Sequence, residues 1–244
     1  QRLIVIPLLI LAFVICVLFT SHNISYIHGP QLKQVIYCFW TGTNPLTENR
    51  TRSLSQLRKV TGYEIVLVTQ NNLHNYILSD HPLHASYVYL SETHKSDYLR
   101  TYFMNFHGGG YTDIKQTKGS WKDAFADLKQ SDKWINGYQE VSADGVAYVP
   151  LRNQYKSLIG NCCYICKPQT PFTSEWYDEM ITLLESKLAK LKQHPATHPR
   201  DKAENSEYPI EWNEMLGRIF HKVCFKYRDK VLQTVPECIL ANYR

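Results

Sequence analysis

Apolar and polar positions along the chain follow two periods. Gln34 to Trp40 (QVIYCFW) is a β-branched and aromatic run closed by Thr41-Gly42-Thr43-Asn44-Pro45, which predicts a buried strand and then a loop. From Asn49 to Thr61 the residues Leu54, Leu57 and Val60 fall at helical steps, and Gly62 ends the pattern. Tyr63 to Thr69 (YEIVLVT) predicts a second strand, Leu73–Leu78 a short helix, and Tyr87 to Leu90 (YVYL) a third, short strand. Ser91 to Phe106 carries Tyr98, Leu99, Tyr102, Phe103 and Phe106 on one helical face, and Gly108 to Gly110 stop it. Tyr111 to Lys115 then reads as a fourth strand. This alternation predicts an α/β sandwich whose parallel strands are joined by crossover helices.

Further on, Trp134 to Val149 and Leu158 to Lys167 are strand-like. Thr173 to Lys192 is a long helix with Ser174 as its cap, and Glu211 to Lys222 is a last helix. Between them His194 to Glu207 is polar, with Pro and His, and reads as an exposed loop. No internal repeat and no second core is visible.

The start of the chain departs from both periods. Leu3 to Thr20 is an uncharged apolar run of 18 residues. At about 1.5 Å per residue it reaches about 27 Å, the short end of a bilayer span. A buried core helix is the alternative, but an all-round apolar helix at this position has little protein to cover it. No persuasive small-residue cleavage site follows at Phe19 to His22, so an uncleaved signal-anchor is expected ahead of a cleaved signal. Arg2 precedes the run and Lys33 is the first charge after it, which favours a type II single-pass orientation with the domain on the far side. The sequons at Asn23 and Asn49 are compatible with a lumenal domain in the Golgi or another secretory membrane. The expected organisation is an anchor at 1–20, a stem at 21–33 and one domain at 34–244.

Charge changes this picture little. The formal net charge of +5 is spread along the chain with no concentrated basic stripe, so no nucleic-acid partner is expected. Beyond the apolar run lie Cys38, Cys162, Cys163, Cys166, Cys224 and Cys238. The C-C-x-x-C cluster resembles half a zinc site without a second half. Disulfides or plain buried thiols are the expected uses.

The chemistry concentrates in one unit, HKSDYLRTYFMNFHGGGYTDIK. Asp97 and Arg100 are three apart on one helix face. After the glycines, a strand delivers Asp113 to its C-terminal end, where ligands of open α/β sheets bind. Glycines there let backbone approach a ligand closely, and an acid at that edge can bind a ribose hydroxyl or help hold a cation bridging phosphates.

This unit resembles glycosyltransferases of the DXD-containing sugar-binding-region type, the family 32-like and capsular-polysaccharide-synthesis group. The matching residues are Ser96, Asp97, Arg100, Gly108, Gly109, Gly110, Tyr111 and Asp113, with Ile36 to Gly42 similar to that family's first strand. The resemblance covers about residues 34–120. It implies a single α/β domain of GT-A type (Rossmann-like) that binds a nucleotide sugar, behind the N-terminal transmembrane helix. It also implies transfer of a sugar to a glycan or glycoprotein acceptor.

The resemblance further assigns roles. Trp40, Thr41 and Gly42 border the base and ribose, and Gly109, Gly110 and Tyr111 line the donor. Asp97 contacts nucleotide or sugar, and Arg100 orients the acids. Asp113 is the first acid of DXD, near ribose and metal. Where that family has its second aspartate, this chain has Lys115, so the implied Mn²⁺ or Mg²⁺ is in question.

Three readings of Lys115 stay open: it neutralises the diphosphate leaving group itself, a metal persists on Asp113, or the site is silent. The third corresponds to an inactive, membrane-tethered nucleotide-sugar- or glycan-binding homologue. Asn136, Gly137 and Asn161 are candidates toward the acceptor, and Glu140, Glu211 and Glu214 are candidate bases. Tyr208 to Gly217, with Trp212, is a candidate closure over the sugar, and His221 a candidate diphosphate contact.

Overall fold

A computed structural model describes residues 31–200 and 206–243. The expected anchor at 1–20 and residues 21–30 of the stem lie outside the described residues. Among the described residues no helix is long and apolar enough to cross a membrane.

Leu32–Arg244 forms one compact unit. Its elements are β1 (Val35–Trp40), α1 (Glu48–Val60), β2 (Glu64–Thr69), α2 (Glu92–Phe106), β3 (Gly109–Thr112), α3 (Lys122–Gln130), β4 (Ile135–Gln139), β5 (Ile159–Cys166), α4 (Pro171–Gln193), α5 (Ile219–Lys226) and β6 (Val231–Leu232). They build a six-stranded sheet of order β2-β1-β3-β5-β4-β6. β1 pairs in parallel with β2 and β3, and β4 with β6, but β5 runs antiparallel to β3 and β4. The sheet is therefore mixed: β1, β2 and β3, which come from the predicted alternation, are parallel, and β5 enters antiparallel. The stretch 140–158 between β4 and β5 holds only short 3₁₀ turns, so the chain returns without a crossover helix.

Strand alternation sorts the core into two layers. Tyr37, Phe39, Tyr111, Tyr164 and Cys166 face α2, α4 and α5 through Phe103, Trp176 and Phe220. Ile36, Cys38, Cys163 and Ile165 face α1 and α3 through Leu54, Leu57, Phe125 and Leu128. Cys163 and Cys166 thus lie on opposite faces, which rules out one zinc ion for the cluster. All six described cysteines are free thiols, five of them buried.

Other boundaries move for local reasons. Tyr87 to Leu90 is a 3₁₀ turn, not a strand: Leu90 donates back to Tyr87, and the Tyr87 ring meets Tyr98 edge-on. Its apolar composition reflects packing on α2 while Val88 points to solvent. α4 begins at Pro171 with Thr170 as cap, because Thr170 and Thr173 close a reciprocal capping box that Ser174 does not take part in. The last predicted helix opens as a π-helical turn over Glu214–Arg218 before α5. The loop 194–207 is described except for 201–205.

Candidate functional site

Ser91 caps α2 by accepting from the His94 amide, and the helix runs until His107 and Gly108 both donate to Phe103. Gly108 and Gly109 then take positive φ angles of 64° and 94°, turning the chain straight into β3. β3 is consequently two residues earlier than the pattern suggests, and the glycines are part of it. A Cβ on Gly109 would stand 2.9 Å from the Val35 carbonyl oxygen, and one on Gly110 2.9 Å from Ile36 and 3.2 Å from Trp121. Their small size lets β3 pass close to β1 inside the sheet.

Because β1 and β3 are parallel neighbours, their C-terminal ends emerge at one edge. There the chain brings together the four charged residues singled out in the sequence. Arg100 Nη2 lies 3.2 Å from Asp97 Oδ1 and 3.3 Å from Asp113 Oδ1. Lys115 Nζ donates to Asp113 Oδ2 at 2.8 Å and to Cys162 Sγ at 3.2 Å. The Tyr111 hydroxyl donates to Asp113 Oδ1 at 2.5 Å, and the Arg100 guanidinium lies 4.3 Å over the Tyr111 ring. Arg100 Nη1 also donates to the Asn161 carbonyl at 2.9 Å. Tyr111 is 1% exposed and holds Asp113 and Arg100 from beneath.

Burial makes these charges consequential. Burial alone would raise the Asp113 carboxyl, but the Lys115 ammonium and the Arg100 guanidinium outweigh it and hold it far below the usual carboxylate range. Burial opposes the charge on Lys115, and Asp113 reverses that, keeping the ammonium protonated well above its usual range. The Cys162 thiol is pushed up to about 11, chiefly by burial and by Asp113, so it sits beside Lys115 as a neutral thiol near neutral pH.

The donor set does not fit a divalent cation. Both Asp113 oxygens already accept from Lys115, Arg100 or Tyr111, and Asp97 Oδ1 faces Arg100. A cation on Asp113 would stand beside the Lys115 ammonium. Among the described residues no group of three or more His, Cys, Asp or Glu side chains converges to hold a metal.

The remaining candidates separate into groups. At the end of β1, Trp40 Nε1 donates to the Asn44 carbonyl at 2.7 Å, Thr41 is buried near Glu92, and Gly42 packs against Asn44 and Glu92. His221 is fully buried, its Nδ1 accepting from the Ala147 amide at 3.0 Å, with Glu140 Oε2 at 3.7 Å and the Asn161 amide at 3.4 Å. Asn161 thus touches both Arg100 and His221. Asn136 ties the Ala124 carbonyl to Thr234, and Gly137 packs on Ile159, both inside the sheet. Glu211 pairs with Arg218, Glu214 with Lys187 at 2.7 Å, and Tyr208 with His94 at 2.8 Å, so this segment is braced on α2 and α4. Trp212 is exposed.

Two residues at the site have no counterpart among the sequence candidates. Tyr243 places its ring 4.7 Å from Lys115 Nζ and 4.8 Å from the Arg50 guanidinium. Arg50, near the start of α1, is held by donating to the Ile114 carbonyl at 2.7 Å. No local pattern pairs such distant positions. The only available signal was a cation early in a helix that follows β1.

The family of capsular polysaccharide synthesis proteins matches residues 18–114. The match includes Asp97, Arg100 and Asp113 and stops one residue before Lys115. No curated protein matches the chain. Among solved structures, the PaToxG glycosyltransferase is 13% identical over 80% of this chain and 69% of its own, with a TM-score of 0.45.

Proposed function

We propose that this chain is a glycosyltransferase of GT-A type that moves a sugar from a nucleotide-sugar donor to a glycan or glycoprotein acceptor. One observation carries the reading: two carboxylates, Asp97 and Asp113, are bridged by Arg100 and neutralised by Lys115 at the C-terminal edge of β1 and β3. The capsular polysaccharide synthesis match over that same stretch supports it. In this reading Asp113 and Asp97 bind hydroxyls of ribose or sugar, Trp40 to Gly42 border the base, and Lys115 faces the diphosphate. As the glycosidic bond to phosphate breaks, negative charge grows on the leaving diphosphate. A fixed ammonium stabilises that charge more in the transition state than in the bound donor. The apolar run at 3–20 tethers the domain to a secretory-pathway membrane as a type II protein.

The second reading is a nucleotide-sugar- or glycan-binding homologue without transfer, favoured by the Lys115 ammonium paired with Asp113, which stands where a DXD motif has its second acid. Both are tested with the detergent-solubilised chain, a panel of nucleotide sugars, and either Mn²⁺ or EDTA. Donor hydrolysis that persists in EDTA and disappears in Lys115→Ala supports the enzyme with lysine in the metal's role. A thermal shift with a nucleotide sugar but no hydrolysis favours the binding homologue. Neither hydrolysis nor a shift with any donor sinks both.

A further inference from the structure

The segment ending at Tyr243 is built into the site from the side of Asp113 and Lys115. Thr117 and Cys238 form an antiparallel bridge, with Lys118 donating to the Glu237 carbonyl at 3.0 Å and Ile239 to the Gln116 carbonyl at 2.7 Å. This pins residues 237–239 beside the strand end that carries the two charges. The chain then delivers Tyr243 against Lys115 and Arg50. Asn49, Leu240, Asn242 and Tyr243 line a groove of about 420 Å³ along the start of α1.

Donor capacity decides what this arrangement allows. The Lys115 ammonium has three N–H groups. Asp113 takes one and the Cys162 sulfur a second, and the Tyr243 ring stands on the ammonium as well. Lys115 is 7% exposed, so little open approach to it remains. A phosphate oxygen reaching Lys115 needs the third N–H, and the Tyr243 ring covers it. Charge favours the exchange. The Arg50 guanidinium meets the same Tyr243 ring, 4.8 Å from its centroid, so two cations stand at one ring. A charge-assisted bond to phosphate is stronger than a cation–π contact.

We propose that Arg50 and Lys115 form a two-cation seat for a diphosphate, and that Tyr243 caps this seat and leaves it when the diphosphate binds. The inference rests on the donor reading above and extends it: Arg50 is a second binding cation, and residues 240–243 are a built-in competitor for the leaving-group site. The shared chemistry is a diphosphate, free or carried by a nucleoside.

The test measures affinity for pyrophosphate, UDP and GDP by calorimetry on the detergent-solubilised chain. The variants are Tyr243→Ala, Tyr243→Phe and Arg50→Met. Removing the ring is expected to tighten binding of at least one diphosphate by about fivefold to tenfold, the range of one exposed cation–π contact or somewhat more. Tyr243→Phe keeps the ring and should bind as wild type. Arg50→Met should weaken binding by about tenfold or more.

Tighter binding of UDP or GDP but not of pyrophosphate by Tyr243→Ala shows that the seat takes nucleoside diphosphates. An equal gain with pyrophosphate shows that it reads the diphosphate alone. Wild-type binding that Tyr243→Ala leaves unchanged or weakens overturns the cap while the donor reading stands. Unchanged affinity in Arg50→Met overturns the two-cation seat. Absence of binding in wild type and Tyr243→Ala alike overturns the donor reading together with this inference.

Discussion

Replacing Lys115 by Met removes the ammonium and keeps most of the stem's volume, so the change isolates charge. Two routes give its size. At an effective dielectric of about 20, a unit charge about 4 Å from another contributes about 4 kcal/mol. Lys115 is 7% exposed, so solvent screening reduces this little. Independently, deleting one preorganised donor at a developing oxyanion lowers kcat by about 10²–10³, or about 3–4 kcal/mol. The two agree, and kcat for donor hydrolysis in Lys115→Met should fall by that factor with KM changed less.

Stability should suffer less than activity. Asp113 keeps the Tyr111 hydroxyl at 2.5 Å and Arg100 at 3.3 Å, so its charge is not left unpaired. The loss should be about 1–3 kcal/mol, below the roughly 3–5 expected when a buried charge loses its whole partner. Lys115→Asp carries the logic further. It turns a neutral cluster into one with two surplus negative charges, and it frees Asp113 Oδ2. Activity of this variant should be near zero in EDTA and partly restored by Mn²⁺. The assay is nucleotide release from the donor, with thermal unfolding as the folding control. Wild-type activity that EDTA abolishes, or Lys115→Met within twofold of wild type, would refute the reasoning.

Gly109→Ala meets the Val35 carbonyl oxygen at 2.9 Å at a φ of 94°, so urea unfolding should show a loss of about 3 kcal/mol. Gly119→Ala, whose nearest neighbour is Pro236 at 3.7 Å, should stay within about 0.5 kcal/mol. Thr170→Ala removes the capping box of α4 and should lower stability by about 1 kcal/mol, or about 2–4 °C in Tm by calorimetry. Asp113 carries a depressed carboxyl, so its contribution is present above the ordinary carboxylate pKa of about 4 and is lost as pH falls below it. An acid titration of stability should therefore fall more steeply for wild type below about pH 4 than for Asp113→Asn. Equal slopes would show that Asp113 is not held by Lys115 and Arg100 in solution.

What was legible in the sequence was whatever one element decides alone. The helical face from Tyr98 to Phe106 and the i,i+3 pair of Asp97 with Arg100 needed only a period of 3.6 residues, and both stand in the structure. The sheet was harder. YVYL carries strand composition, yet it closes as a turn because Tyr87 packs on Tyr98 of α2, a tertiary contact that overrides propensity. The antiparallel entry of β5 followed from a connection without a helix, which periodicity over Trp134 to Val149 did not reveal.

The glycine triplet shows the sharpest difference between local and global reading. As a local signal it marks a turn beside a ligand. In the sheet it is the place where β3 passes between β1 and β5 too closely for side chains, and the turn needs only Gly108 and Gly109. Lys115 shows the reverse. Read alone it was a departure from a motif, and only its neighbours give it a job: Asp113 and Cys162 on one side, and the Tyr243 ring that also meets Arg50 on the other. Arg50 comes from α1 and Tyr243 from beyond β6. Charge balance at the proposed diphosphate seat is thus set by segments far apart in the chain, where neither spacing nor periodicity could bring them together.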